Sequence, residues 1–213
     1  MERTHQVQVL ETGRVENLAD GVFSIVMTLL VFELTLPTEP GANLAAALGS
    51  LWPKFLGFAI SFALLGIYWL GHRSQFNYIK RADHVSHWLN ILFLACVSLV
   101  PFSTKVLGRF PQDRLALILY GSNLIVIGLV LNWKWAYALR GGHLIDRDIP
   151  DVIARFGTLR CLLAPACYAI AIGISFVNPT LTLILYACVP ALYIIPGLQR
   201  IWLHLAQPAR SPP

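Results

Sequence analysis

Residues 14–34 read RVENLADGVFSIVMTLLVFEL, an apolar run that carries a carboxylate, Asp20, just where it begins. The segment from Val22 to Leu36 measures about 22 Å as a helix, too short for a hydrocarbon core of about 30 Å. The helix must therefore start earlier. Carried back through Leu18 and Ala19, it takes Asp20 about one turn inside the span, where an ionised carboxylate is costly unless it is paired. Arg14 is the nearest cation in sequence, yet the separation turns through about 240°, so the two cannot meet as neighbours on one helix. Both are expected to find partners on other helices.

Candidate partners stand in the next two apolar stretches. YWLGH places Trp69 and His72 near the end of the second, and WLN places Asn90 about one turn into the third. Arg14, Asp20, Trp69, His72 and Asn90 are expected at one membrane depth, in a polar network that holds helices one, two and three together, because a polar group without a partner in a dry bundle is expensive. A generic interfacial belt of Trp, His and Arg is the other reading of these residues.

The rest of the chain has the same character. Of its 213 residues, 56% are hydrophobic and 13% charged, and the mean hydropathy is +0.63, far outside the range of soluble domains. Apolar stretches recur near residues 18–36, 52–71, 87–107, 115–139, 156–177 and 180–203, each close to the length a spanning helix needs. The expected fold is an all-α membrane protein with six transmembrane helices. Residues 1–17 are expected as a cytoplasmic N-terminal segment, 18–205 as one six-helix transmembrane domain and 206–213 as a disordered, proline-rich cytoplasmic tail. The first stretch lacks a small-residue cleavage site and five more follow it, so it does not read as a signal peptide. The link between the first two spans contains ANLAAALGSL, suited to a short interfacial helix.

Lys and Arg decide orientation. Arg3, Arg14, Arg73, Lys80, Arg81, Arg140, Arg147, Arg155, Arg200 and Arg210 fall on one side, against Lys54, Lys105, Arg109 and Arg114 on the other. Both termini are expected in the cytoplasm, with the span bundle in the membrane. The net charge of +5 follows from this bias and calls for no nucleic-acid partner. Cys96, Cys161, Cys167 and Cys188 all fall inside spans, which argues against disulfides. Pro101, Pro165, Pro190 and Pro196 also fall within spans, where each frees a carbonyl and can kink its helix.

Plotted at about 100° per residue, Asp20, Gly21, Ser24, Thr28 and Thr35 share one side of the first helix, bordered by Ile25 and Phe32. Lipid offers hydroxyls no partner but the preceding turn of their own helix, so such a stripe suits a protein contact or a water-filled path. Ordinary packing through small residues produces the same pattern, and both readings stand on the wheel alone.

This stretch resembles the first helix of the lysosomal potassium channel family, transmembrane protein 175 and its prokaryotic relatives, whose signature is Arg, three residues, then Phe-Ser-Asp. The segment YWLGHRSQFNYIKRADHVSHWLNILFLACVSLVPFSTKVLG is similar to the family's second and third helices. Here Arg14 and Asp20 keep the signature, while Leu18 and Ala19 replace its Phe and Ser. The resemblance implies a potassium-selective cation channel of the prokaryotic single-unit branch, a homotetramer in the lipid bilayer with potassium as its permeant ion and no cofactor. It also implies a pore lined by the first helix, with a constriction at Ile25 beside Ser24, a hydroxyl layer at Thr28 and an apolar layer at Phe32. No TVGYG-like sequence is present and no outer link reads as a re-entrant pore helix, so a carbonyl filter is not expected.

Other classes fit less well. Haem needs histidines on facing helices at matched depth, whereas His72, His84 and His87 lie at or beyond one interface and His143 in a loop. Asp83, His84 and His87 have a spacing that suits either a metal or a wet helix start, and no metal site is expected. No nucleophile set, Walker loop or zinc-protease motif is visible, so the chain does not read as an enzyme. An ion-coupled secondary transporter is the serious rival, since a polar stripe with an intramembrane acid also suits a coupled ion. Glu33, near the outer end, either concentrates cations or pairs with a basic residue such as Lys105.

Overall fold

The computed structural model describes residues 10–36, 43–141, 144, 145 and 149–195. The tail 206–213, the end of the sixth expected span, Pro196, His143 and the first nine residues lie outside the described residues.

Helix α1 (Thr12–Leu29) continues as a single 3₁₀ turn, Leu30–Glu33. Together they make 22 residues, about 33 Å long at helical rise and sufficient to cross a bilayer. The helix thus starts at Thr12, ahead of the expected boundary at residue 18. Its approach is tied down by a short antiparallel pair: β1 (Leu10–Glu11) lies against β2 (Arg81–Ala82), with Leu10 opposite Ala82 and Glu11 opposite Arg81.

After the outer link comes α2 (Leu44–Ser50), the short helix expected there. The side chain of Asn43 caps it by accepting from the Ala45 N–H at 2.9 Å. Helix α3 (Trp52–Phe76) follows, with Pro53 in its first turn, where the missing N–H is no loss. The third expected span is not one unbroken helix. It divides into α4 (His84–Ser98) and α5 (Val100–Arg109), interrupted at Leu99. Pro101 explains the break, because its ring and absent N–H cannot continue the hydrogen-bond ladder of the preceding turn. By contrast, Pro165 and Pro190 sit within the unbroken helices α7 (Asp151–Ser175) and α8 (Pro179–Ile194). Helix α6 (Arg114–Gly141) completes the set.

Five described segments are long and apolar enough to cross a membrane: Thr12–Glu33, Trp52–Phe76, His84–Arg109, Arg114–Arg140 and Asp151–Ser175. The protein is a multi-pass membrane protein. Helix α8 is apolar and shorter, with 16 described residues.

One main core joins these helices. Phe23 and Leu30 of α1 and its 3₁₀ turn, Leu64 and Leu65 of α3, Phe93 and Val97 of α4, Leu124 and Ile127 of α6, Tyr168 of α7 and Tyr186 of α8 are all nearly inaccessible. A hydroxyl chain crosses it: Thr104 donates to Ser61 at 2.9 Å, and the hydroxyls of Ser61 and Tyr120 lie 3.0 Å apart. These bonds fasten α5, beyond its break, to α3 and α6. The four cysteines are free thiols.

Helices α6 and α7 pack closely at a glycine. A Cβ at Gly128 would stand 2.5 Å from Pro165 Cγ and 3.3 Å from the Cys161 carbonyl oxygen, so only glycine fits. Gly57 of α3 has nothing within 4 Å. Gly128→Val should therefore lower thermal stability in detergent by about 1–3 kcal/mol, as overpacking does. Gly57→Ala should leave it unchanged or raise it slightly. Equal melting temperatures for Gly128→Val and the native chain would show that the two helices separate freely.

Candidate functional site

Helix α1 has two unlike faces. Val15, Ala19, Phe23, Val26 and Leu30 recur at helical spacing and are buried against the protomer. Asp20, Gly21, Ser24, Ile25, Thr28 and Phe32 look outward; Ile25 is 61% exposed and Phe32 69%. A single protomer therefore offers the whole polar stripe, with its bordering Ile and Phe, to whatever surrounds it. Thr35, beyond the 3₁₀ turn, is exposed as well.

The hydroxyls on this face are bonded within the helix. Ser24 Oγ donates to the Asp20 carbonyl at 2.8 Å, and Thr28 Oγ1 lies 2.8 Å from the Ile25 carbonyl and 3.1 Å from that of Ser24. Each hydroxyl thus spends its only proton on its own backbone, and the lone pairs of its oxygen are left to accept. Chemically the stripe is an acceptor surface, suited to water protons or to a cation.

At the foot of the helix, the expected single polar network is two clusters. In the first, Trp69 Nε1 donates to Asp20 Oδ1 at 2.7 Å, and the Arg73 guanidinium lies 5.5 Å from the Trp69 ring centroid. In the second, His72 Nε2 lies 2.8 Å from Asn90 Oδ1, and Lys134 Nζ donates to the same oxygen at 2.6 Å. The Lys134 ammonium also faces the rings of Phe76 and Phe93, 5.3 and 5.0 Å from their centroids. His72 stacks on Phe93 with centroids 5.2 Å apart. The separation has a simple cause: Asp20 stands on the outward face of α1, while His72, Asn90 and Lys134 are 2%, 1% and 5% exposed inside the bundle. Arg14 joins neither cluster. It is exposed, and among the described residues it makes no hydrogen bond or ion pair.

Two residues in these clusters had no assigned role at the sequence level. Lys134, between two tryptophans near the end of a span, carries the signal of any intramembrane charge: it must face the interior and find partners. Arg73 was counted only for orientation, although it follows Trp69 at helical spacing.

At the opposite end of the Thr12–Glu33 span, Glu33 Oε1 lies 3.7 Å from Lys105 Nζ, the pairing alternative for that residue. Asp83 serves as a helix start: it forms a capping box with Ser86, and its other oxygen accepts from Tyr137 at 2.6 Å. Among the described residues no group of His, Cys, Asp and Glu could hold a metal ion.

The chain is similar to known proteins in sequence and in fold. The family model described as endosomal/lysosomal potassium channel TMEM175 matches residues 14–101, which include both polar clusters except Lys134. A potassium channel of Streptomyces collinus is 35% identical over 178 residues, covering 81% of this chain and 86% of that one. The endosomal/lysosomal proton channel TMEM175 of mouse is 33% identical over 143 residues, 61% of this chain and 29% of that longer one. The crystal structure of a lysosomal potassium-selective channel TMEM175 homologue from Chamaesiphon minutus superposes with a TM-score of 0.73 at 30% identity, over 92% of this chain and 98% of the other. By its sequence and its fold, this chain belongs to the TMEM175 family.

Proposed function

We propose that this chain is the subunit of a potassium channel whose pore is lined by α1. The observation that carries the reading is the outward stripe of acceptor oxygens on α1, in a chain whose Streptomyces collinus relative, matched over 86% of its length, is a named potassium channel. Four chains around an axis, in a bacterial inner membrane with both termini in the cytoplasm, would close this face against itself. The stripe would then form rings rather than a lipid contact. Ile25 supplies the constriction, closing the path by dewetting; Ser24 and Thr28 replace part of the hydration shell of a potassium ion; Phe32 narrows the outer section. The single-unit relatives that match over most of their length support potassium as the permeant ion, whereas the proton-channel relative is matched over less than a third. The activity is passive permeation, with no reaction catalysed and no cofactor. A requirement for a second ion in liposome flux would instead identify a coupled transporter.

Bilayer recording of the purified chain tests the pore. Ile25→Ala should raise conductance or resting leak several-fold, and Thr28→Ala should weaken discrimination among alkali cations. Unchanged currents in both would remove α1 from the conduction path. Asn90→Ala should cost about 3 kcal/mol of stability, because it strands a buried ammonium. Adding Lys134→Met should recover much of that loss; thermal unfolding in detergent reads both, and an unstable double variant would show that the charge itself is needed.

A further inference from the structure

Helices α3, α6, α7 and α8 enclose a cavity of about 270 Å³. Toward the middle of α3 its wall is apolar, with Leu64 and Tyr68, and Ala164 of α7 lines it as well. Its other end, level with the last residues of α3, carries Gln75 and Arg160. The lysine and arginine distribution puts this end toward the cytoplasm.

Most polar atoms of the wall are already satisfied. Tyr68 donates to the Leu124 carbonyl at 2.8 Å, Tyr193 to the Arg160 carbonyl at 2.8 Å and Trp135 to the Ala154 carbonyl at 3.1 Å. Gln75 is the exception. It is 5% exposed, and its Nε2 donates to the Leu131 carbonyl at 3.0 Å, which fixes the amide orientation and leaves Oε1 buried with no partner. A buried acceptor of this kind calls for a donor. Arg160 lines the same cavity, and its guanidinium makes no hydrogen bond or ion pair with the described residues. Among the described residues no carboxylate lines the cavity. The site therefore asks for a molecule with an apolar body, an anionic group and a hydrogen-bond donor next to it.

We propose that this cavity binds a phosphate-bearing membrane lipid with a hydroxylated headgroup, of the phosphatidylglycerol kind. The phosphate sits on Arg160, where a guanidinium matches its oxygens in two places at once. A headgroup hydroxyl donates to Gln75 Oε1, and an acyl chain fills the space between Tyr68, Leu64 and Ala164. Phosphatidylcholine carries the phosphate but no donor for Gln75. Phosphatidylethanolamine carries a donor, but as an ammonium that meets the like charge of Arg160. The expected order of binding is phosphatidylglycerol, then phosphatidylethanolamine, then phosphatidylcholine.

Thermal unfolding of the full chain in detergent, titrated with lipids of identical acyl chains, tests this, since a ligand of the folded state raises the melting temperature. Phosphatidylglycerol should raise it at the lowest concentration, and inorganic phosphate alone should not raise it. Arg160→Gln should weaken the phosphatidylglycerol response about fivefold, the worth of one basic residue toward an anionic lipid. Gln75→Met should narrow the preference for phosphatidylglycerol over phosphatidylcholine. Lipid extracted from the purified native chain and identified by mass should be enriched in phosphatidylglycerol over the membrane of origin, a readout that needs no variant to fold. Equal shifts with phosphatidylglycerol and phosphatidylcholine, a full response in Arg160→Gln, or a matching shift with inorganic phosphate would each overturn the proposal.

Discussion

The hydrogen bond from Trp69 Nε1 to Asp20 Oδ1 sets how α1 is turned about its own axis. Burial of Ala19, Phe23, Val26 and Leu30 attaches the helix to the bundle, but apolar burial has little directional preference and tolerates small rotations. A bond between an indole and a carboxylate does not. Hydrogen bonds to a charged group contribute about 1.5–3 kcal/mol, a bias of roughly tenfold or more for one setting. With that setting fixed, Ser24, Ile25, Thr28 and Phe32 share the outward side, and the character of the exposed face follows. The pairing of β1 with β2 adds a second restraint, holding the start of α1 to the link between α3 and α4.

The inner cluster does a different job. Lys134 comes from α6, His72 from α3 and Asn90 from α4, so one amide oxygen gathers three helices. An ammonium this deep would normally demand a carboxylate, and among the described residues it touches none. The faces of Phe76 and Phe93 take that place, since a cation over a desolvated ring gains about 2 kcal/mol. The outer cluster instead leaves its acid on the protomer surface, bonded to the Trp69 indole, over whose ring the Arg73 guanidinium lies. One cluster fixes the bundle; the other holds the helix that the bundle presents.

Much of this was legible in the residues. The length argument that Val22–Leu36 alone cannot span a bilayer required an earlier helix start, and α1 begins at Thr12. The meeting of His72 with Asn90, of Asp20 with Trp69, and the choice between concentrating cations and pairing with Lys105 for Glu33 were all framed by depth and spacing. The break at Leu99 was not framed so clearly. Pro101, Pro165 and Pro190 read alike in sequence, yet only the first coincides with an interruption, because the outcome depends on what neighbouring helices supply to the freed carbonyl. Arg14 differs from its expected companions: membrane depth alone placed it with them, and on the protomer it is exposed and joins neither cluster. Lys134 was hidden by company, since two tryptophans beside a lysine look like an interfacial belt until the side chain is seen turned inward.

The choice of hydroxyls for the outward face has a physical logic of its own. Ser24 and Thr28 each have one proton, and the helix takes it, so lipid could cover them at modest cost and exposure by itself does not mark a pore. The distinction lies in what is left over. An asparagine or glutamine at the same positions would keep N–H donors pointing outward, a mixed surface that opposes a cation as much as it binds one. A hydroxyl that has given its proton inward offers oxygen lone pairs and nothing else. In the proposed pore, four such oxygens at one level would attract potassium without bearing charge, weakly enough for the ion to leave again. That balance between entry and release is what conduction requires.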